Sequence, residues 1–416
     1  MDQKQNIVRK PSYYIKKRLF ANKPAVFGMF VIIFACVVAV LGYLIMPDST
    51  PGANDGAIQV QKQPPIFRTY FLKQRRNIEI PSQNIFKTML FGKESEFVIT
   101  PIKSFTVNGF NLDYIPDGRI QIPEKEPIIT IVEHIKKGKS NYTGYDTLQN
   151  YKYENDKVYF ISDSGKEMSY LQTELKEKLI ASHIEQKTFL LGTDKAGRDL
   201  LSRLIFGTRI SLGIGLISVI ISLFVGVSIG AIGGFFGGYT DKFVMWLMTV
   251  VWSIPGIMLV IAISLALQSK GIWVAFVAVG LTTWVEIARV VRGQILSIKE
   301  KTYVEAAKAL GLPTSRIILR HILPNLMGPI IVIATSNFAS AILTEAGLSF
   351  LGLGVQPPTP SWGMMVNEGF HSMAMLSNSW HLIVMPSLAI SVLVLSFNLF
   401  GNGLRDAYDP QSATKW

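Results

Sequence analysis

Long apolar runs constrain this chain more than any other feature. Val26 to Met46 is 21 residues without a charge, and most of them are apolar. As an α-helix rising 1.5 Å per residue it measures about 31 Å, enough to cross the hydrocarbon core of a bilayer. Further runs cover Ser211–Phe235, Phe243–Leu267, Ile272–Val291, Leu326–Leu343 and Leu382–Phe400. In lipid the backbone must satisfy its own hydrogen bonds, so such runs have to be helices. With 416 residues, 49% hydrophobic, and a mean hydropathy of +0.31, the chain fits a membrane protein better than a globule. Six spans predict an all-α polytopic membrane protein with both termini on one side.

Charge orients the spans. Residues 1–25 carry seven basic side chains (Lys4, Arg9, Lys10, Lys16, Lys17, Arg18 and Lys23) against Asp2. The positive-inside rule therefore makes the N-terminal segment cytoplasmic and 26–46 the first transmembrane helix. That run exceeds a signal-peptide core, and Met46-Pro47-Asp48 offers no small-residue cleavage site, so the span is predicted to stay uncleaved. The net charge of +12 invites a nucleic-acid reading, but its distribution argues against one. Residues 47–199 hold 21 Lys/Arg and 20 Asp/Glu and so add only +1. Cys36, the single cysteine, lies in the first run, so no intrachain disulfide can form.

Residues 47–199 contain no run long enough to span. Phe97–Thr100, Ile128–Val132 and Lys157–Ile161 read as short strands, with turn signals at Asn108-Gly109, Asp117-Gly118 and Ser164-Gly165. Leu171, Leu175, Leu179 and Ile180 fall on one face of a helix. This predicts a small α+β domain over 47–190, inserted between the first and second spans. Span parity places it outside, and long translocated domains escape the charge rule. Gly138-Lys139-Ser140 imitates the end of a phosphate-binding loop, but Glu133 stands where that loop needs a glycine. His134 and His183 lack a neighbouring ligand pattern and read as solvated, with no metal site.

The spans carry their own marks. Gly226, Gly230, Gly234 and Gly238 recur every four residues, a stripe that lets another helix pack closely. Pro255 is expected to kink the third span. Glu286, Arg289 and Arg292 end the fourth near water. Ahead of the second span, Arg198, Asp199 and Arg203 read either as a polar outer-surface helix or as a solvated helix lying on the headgroups.

A polar island separates the fourth and fifth spans. Arg289 to Arg320 has seven Lys/Arg against Glu300 and Glu305, as a cytoplasmic loop should. Thr302 to Leu310 reads as a helix whose alanines allow close approach to another surface. Lys301–Glu305 and Glu305–Lys308 are spaced to pair, each for a few tenths of a kcal/mol. Gly311 supplies a stop and Pro313 cannot continue the helix. Thr314 or Ser315 can cap a second helix, which Pro324 then ends. The pattern alone allows an ordinary amphipathic loop or a plug for a partner's groove.

Glu305-Ala306-Ala307 followed by Gly311, and then Leu323-Pro324, resembles the cytoplasmic signature loop of ABC-importer permeases. His321 before Ile322-Leu323-Pro324-Asn325 is similar to the variant in peptide permeases. Leu191-Gly192-Thr193-Asp194, Gly197-Arg198-Asp199 and the passage Thr344 to Gly363 resemble the C-type permease subunit of oligopeptide and dipeptide importers. The resemblance implies a type I permease fold with six transmembrane helices, a core over 191–410, a coupling loop over 292–325 and a tail over 411–416. It covers 1–46 loosely and 189–410 well. The family's short outer loop has no counterpart to the inserted domain.

The same resemblance assigns roles. Glu305, Ala306, Ala307, Lys308, Leu310, Gly311, Leu312 and Pro313 would dock on the ATPase, supported by His321, Leu323, Pro324 and Asn325. Ser336, Asn337, Ser340 and Glu345 are candidates for the translocation path. Glu345 ends a span, so it either faces that path or snorkels to the outer interface. Thr344 to Gly363 is expected to be irregular at the outer membrane face. The implied partners are a second homologous permease, two ATP-binding subunits, an extracytoplasmic substrate-binding protein, a peptide and the lipid bilayer, with no nucleic acid. ATP and Mg belong to the partners, this chain binds no cofactor, and no residue is assigned as catalytic. Importers of nickel, glutathione or antimicrobial peptides share much of this text. From other classes, a membrane-anchored receptor would use the inserted domain, and an ion-coupled carrier would need internal repeats and charges within the spans.

Overall fold

A computed structural model describes residues 11–76, 83–118, 121–135, 150–268, 271–374 and 379–409. Lys4, Arg9 and Lys10, the Gly138-Lys139-Ser140 stretch and the tail 411–416 lie outside the described residues. The chain divides into two units. One comprises Met1–Val40, Phe206–Asn367 and Val384–Trp416; the other comprises Leu41–Ile205 and Glu368–Ile383.

The chain opens with α1 (Pro11–Ala21) and α2 (Lys23–Ile45), the latter containing the first apolar run. Asn22 Oδ1 accepts the Ala25 N–H at 3.2 Å, an N-cap, and Pro24 sits in the first turn where its missing N–H costs nothing. The helix therefore starts at its cap, ahead of Val26.

Residues 47–199 hold two antiparallel sheets. The strands are β1 (Phe67–Arg75), β2 (Phe97–Asn108), β3 (Asn111–Pro116), β4 (Glu124–Pro127), β5 (Tyr151–Glu154), β6 (Lys157–Ile161), β7 (Glu167–Leu171) and β8 (Ile184–Phe189). Their order is β4-β3-β2-β1-β8 in one sheet and β5-β6-β7 in the other. The expected strands at Phe97 and Lys157 lie in β2 and β6. Asn108 pairs with Asn111 across a hairpin whose Gly109 takes φ +64°, a left-handed value that glycine adopts without strain.

Three expectations fail in this region. Ile128–Val132 is a helix, α4, since α3 (Ile85–Phe91) precedes it. Ile128, Ile129, Ile131 and Val132 are all buried, and a strand would have turned alternate residues outward. Packing demand overrides the β-branched composition. In α5 (Gln172–Lys178), Leu175 is buried, as is Leu179 just after it, whereas Leu171 closes β7 and Ile180 lies in a π turn. Leu171 and Ile180 are exposed because the helix is too short to carry all four positions on one face. His183 is not solvated: it is 4% exposed, its Nδ1 lies 2.7 Å from the Lys73 carbonyl, and its ring meets Phe97 edge-on. Burial, reinforced by nearby Lys178 and Arg75, holds the His183 pKa below its ordinary value.

The remaining helices are α6 (Leu200–Phe236), α7 (Gly238–Trp252), α8 (Gly256–Ala266), α9 (Ile272–Ile298), α10 (Thr302–Ala309), α11 (Thr314–Ile317), α12 (Leu323–Phe350), α13 (Trp362–Ala374) and α14 (His381–Tyr408). Among the described residues five helices are long and apolar enough to cross a membrane, or six if α7 and α8 make one broken span. Asp199 Oδ2 accepts the Ser202 N–H at 2.8 Å and caps α6 well ahead of its apolar run. The stretch predicted as a kinked third span is instead two separate helices. Pro255 leaves the helical region at φ −52°, ψ 125°, and α7 and α8 meet at 89°.

The glycine stripe works at three of its four positions. A Cβ on Gly226, Gly230 or Gly234 would stand 2.6, 2.5 or 3.0 Å from the carbonyl oxygens of Trp284, Ala288 and Arg292, all on α9. Gly238 meets nothing within 4 Å and instead takes φ +55° where α7 begins. Near Gly234, the Arg292 Nη2 donates to Asp241 Oδ2 at 2.6 Å and ties α9 to α7, whereas Glu286 and Arg289 are exposed. Gly28 and Gly403 likewise let α2 touch α14.

Pro324 does not end a helix. A π turn over Ile318–Ile322 joins α11 to α12, with the Leu323 N–H on the Ile318 carbonyl, so Pro324 enters in the first turn of α12. Neither Thr314 nor Ser315 caps α11, because Pro313 occupies the cap position. Thr344 to Phe350 is helical, and the irregular stretch runs from Leu351 to Ser361.

Two measurements follow from this packing. Gly230→Val should overpack the α6–α9 contact at a cost of about 1–3 kcal/mol, read as a lower melting temperature of the detergent-solubilised chain. Gly293→Ala, where a Cβ meets nothing within 4 Å, should not lower it. For His183 the folded pKa is depressed, so the unfolded state binds the extra proton. Stability is full above the ordinary histidine value, about 6.5, and falls as pH drops below it. Limited proteolysis of residues 47–199 in the full chain should accelerate at pH 5.5, and His183→Asn should flatten that dependence.

Candidate functional site

The polar loop forms a fixed protrusion. Helix α10 buries Val304 and Ala307 among Ala231 of α6, Ile287, Val291 and Ile295 of α9, and Ile317, Ile322 and Leu326 beyond it. Burying a valine side chain contributes about 1.5–3 kcal/mol, so α10 is held by its inner face. Its outer face exposes Tyr303, Glu305, Ala306, Lys308 and Ala309, and Leu310 follows at 79% exposed. Gly311 takes φ +70°, its N–H bonds the Lys308 carbonyl at 2.9 Å, and the Leu312 N–H bonds the Ala307 carbonyl at 3.2 Å. This is a Schellman stop. The two expected ion pairs do not form; Lys308 Nζ instead lies over the Phe235 ring, 5.4 Å from its centroid.

The supporting residues sit behind that protrusion. Asn325 Nδ2 donates to the His321 carbonyl at 2.8 Å and to Tyr303 Oη at 3.3 Å, linking α10 to the start of α12. His321 and Leu323 are half-buried, and Leu323 packs on the same core. Pro313 and Pro324 are exposed and Leu312 is half-buried.

The four candidate path residues separate into two pairs. Ser336 and Ser340 are exposed on one face of α12. Asn337 is buried and donates to the Thr283 carbonyl of α9 at 3.4 Å. Glu345 is 1% exposed and accepts the Ser349 hydroxyl at 2.7 Å, an i,i+4 bond that keeps α12 helical through this region. It therefore neither snorkels to an interface nor lies on the open face.

Sequence reasoning missed a groove of about 1040 Å³ between α9, α12 and α14. Gln294, Asn325, Ser336, Asn398, Asn402 and Arg405 give it a polar wall, while Val332, Ile333 and Phe397 give it an apolar one. The signal was available, since Asn398, Asn402 and Arg405 recur at i, i+4 and i+7 in an otherwise apolar helix.

Neither a polar surface helix nor a solvated one describes Arg198, Asp199 and Arg203. They are buried, Arg203 completely. Arg198 Nε donates to Asp194 Oδ2 at 2.6 Å, and Arg203 Nε lies 3.2 Å from the same oxygen. Both guanidinium groups donate to Asn54 Oδ1 at 3.1 Å, and Arg198 lies 3.7 Å from Glu368 of α13. Asp48 is joined through its N–H to Ser202 Oγ at 2.9 Å. Buried charges must pair, and these residues stay inside because the neighbouring Asp194 and two distant segments, one with Asn54 and one with Glu368, supply the partners.

Asp194→Asn should leave two buried guanidinium groups short of an anion and cost about 3–5 kcal/mol. Lys195→Ala removes a half-exposed partner of Glu368 and should cost no more than about 1 kcal/mol. Melting of the purified full chain measures both.

Comparisons with known proteins follow the same residues. A family model described as the binding-protein-dependent transport system inner membrane component matches 226–413. A second, the N-terminal TM domain of oligopeptide transport permease C, matches 11–65. These two models leave 66–225 unmatched. The glutathione transport system permease protein GsiD of Pectobacterium atrosepticum is 42% identical over 221 residues, covering 53% of this chain and 72% of that one. The oligopeptide transport system permease protein OppC of Bacillus subtilis is 41% identical over 225 residues, covering 54% and 72%. The dipeptide transport system permease protein DppC of Bacillus subtilis is 42% identical over 220 residues, covering 53% and 68%.

Proposed function

The chain belongs to the binding-protein-dependent transport system inner membrane component family, and on that premise we propose that it forms half of a membrane path for peptides. It is a transport subunit, not a catalytic one. The relatives named for glutathione, oligopeptide and dipeptide transport share a peptide cargo, and that class is the substrate assigned here. A second permease would complete the path, two ATP-binding subunits would power it, and an extracytoplasmic binding protein would deliver the peptide.

The observation that carries this reading is the two-faced α10. Its inner face is locked into the core of α6, α9 and α12 by Val304 and Ala307, while its outer face offers Glu305, Ala306, Ala309 and Leu310. A partner that moves the outer face must move the helices behind it. The groove between α9, α12 and α14 lies on two of those helices, and we assign it to the path, with Ser336, Asn398, Asn402 and Arg405 facing the peptide. Driving such a switch from 1:99 to 99:1 takes a differential affinity of about 5.5 kcal/mol, which ATP binding to the partners would supply. Ligands shift the two states only by that difference.

The reading includes six spans, with α7 and α8 counted as one broken span, and both termini in the cytoplasm. Arg18 of α1 donates to the Asp409 carbonyl beyond α14 at 3.0 Å, which supports a common side for the two ends. Residues 47–190 then form an extracytoplasmic α+β domain, 191–410 the permease core and 292–325 the coupling loop.

Glu305→Lys tests the proposal in the reconstituted four-subunit complex with its binding protein. Peptide-stimulated ATP turnover should fall to the unstimulated level while the chain remains membrane-inserted. Normal stimulation would remove α10 from the coupling role.

A further inference from the structure

Helix α3 has no buried residue. Ile85, Phe86 and Phe91 are 65%, 68% and 64% exposed. Large apolar groups bunched on one short helix mark a contact surface, because water gains nothing from hydrating them. The surroundings of the helix identify the contact. Gly92, which ends α3 at φ +78°, is so close to the exit of α2 that a Cβ would stand 2.7 Å from the Ser49 carbonyl oxygen and 2.8 Å from the Tyr43 ring. The Lys93 N–H donates to the same Ser49 carbonyl at 2.9 Å. Tyr43 lies near the end of α2, and its hydroxyl accepts the Gly52 N–H at 2.9 Å. The end of α3 is thus tied to the chain just beyond α2.

We propose that α3 seats Phe86 and Phe91 in the lipid at the headgroup–acyl boundary, in the leaflet where α2 emerges. At 1.5 Å per residue the helix is about 10 Å long, short enough to lie in that boundary layer. Phenylalanines on the apolar face of an interfacial helix bury at this depth, and Lys87 can extend its ammonium to the headgroups while its stem stays apolar. The insert is then attached to the bilayer twice, by the covalent link to α2 and by α3. The proposal rests on α2 being a span.

The test is depth measurement by spin labelling of the full chain in lipid nanodiscs, on a Cys36→Ser background. Nitroxides are placed through Phe86→Cys and Phe91→Cys, with Ile33→Cys in α2 and Tyr153→Cys in β5 as references. Collision with oxygen, which partitions into lipid, is compared with collision with a water-soluble nickel chelate. Labels at 86 and 91 should favour oxygen as the label at 33 does, several-fold more than the label at 153. Nickel accessibility at 86 and 91 equal to that at 153 would overturn the proposal and leave the span intact. Labels closed to both reagents would mean that protein covers α3, and would overturn it too. A label at 33 that favours nickel would defeat both the span and the proposal.

Discussion

The close contact of Gly226, Gly230 and Gly234 with the backbone of α9 sets the spacing on which the helical unit depends. Within lipid, helices gain little from hiding apolar side chains from one another, so association relies on tight van der Waals fit. With α6 and α9 touching, Ala231, Ile287, Val291 and Ile295 form a floor into which Val304 and Ala307 fit. A bulkier α6 would lift that floor away. The protrusion of α10 thus depends on missing side chains in a different helix.

The start of α6 is held by another kind of force. Asp194, Arg198, Arg203, Asn54 and Glu368 come from three chain-distant segments and pair with one another in a buried cluster. Desolvating these ions is costly, so the cluster adds more to the definite placement of its segments than to net stability. The Asp48 turn joins the same region through Ser202, and it bears the Ser49 carbonyl that holds the end of α3. One polar cluster and one backbone turn therefore bring together the segments that carry Asp48, Asn54, Lys93, Arg198 and Glu368.

Much of the helical architecture was legible in the residues. The apolar runs located every long helix, because a bilayer requires a minimum length whatever the tertiary packing. Gly311 announced its stop through a left-handed turn, and Asn108-Gly109 its hairpin. Three of the failures share one cause. Ile128–Val132 became a helix, His183 went inside, and Arg198, Asp199 and Arg203 were buried because distant partners changed what each residue's own chemistry favours. Pro324 misled for a local reason: a π turn before it moved the proline into a first turn.

From the sequence alone came the number and position of the apolar segments, the stop at Gly311 and the family resemblance of the polar loop. These depend on composition, spacing and local backbone preference, all of which one stretch of chain carries by itself. Only the tertiary structure decided which face of α10 is free, that Asn337 and Glu345 turn inward while Ser336 opens on a groove, and that α7 and α8 break at 89°. Each of these is settled by what lies opposite a residue in space. Such neighbours come from segments far along the chain, and no periodicity records them.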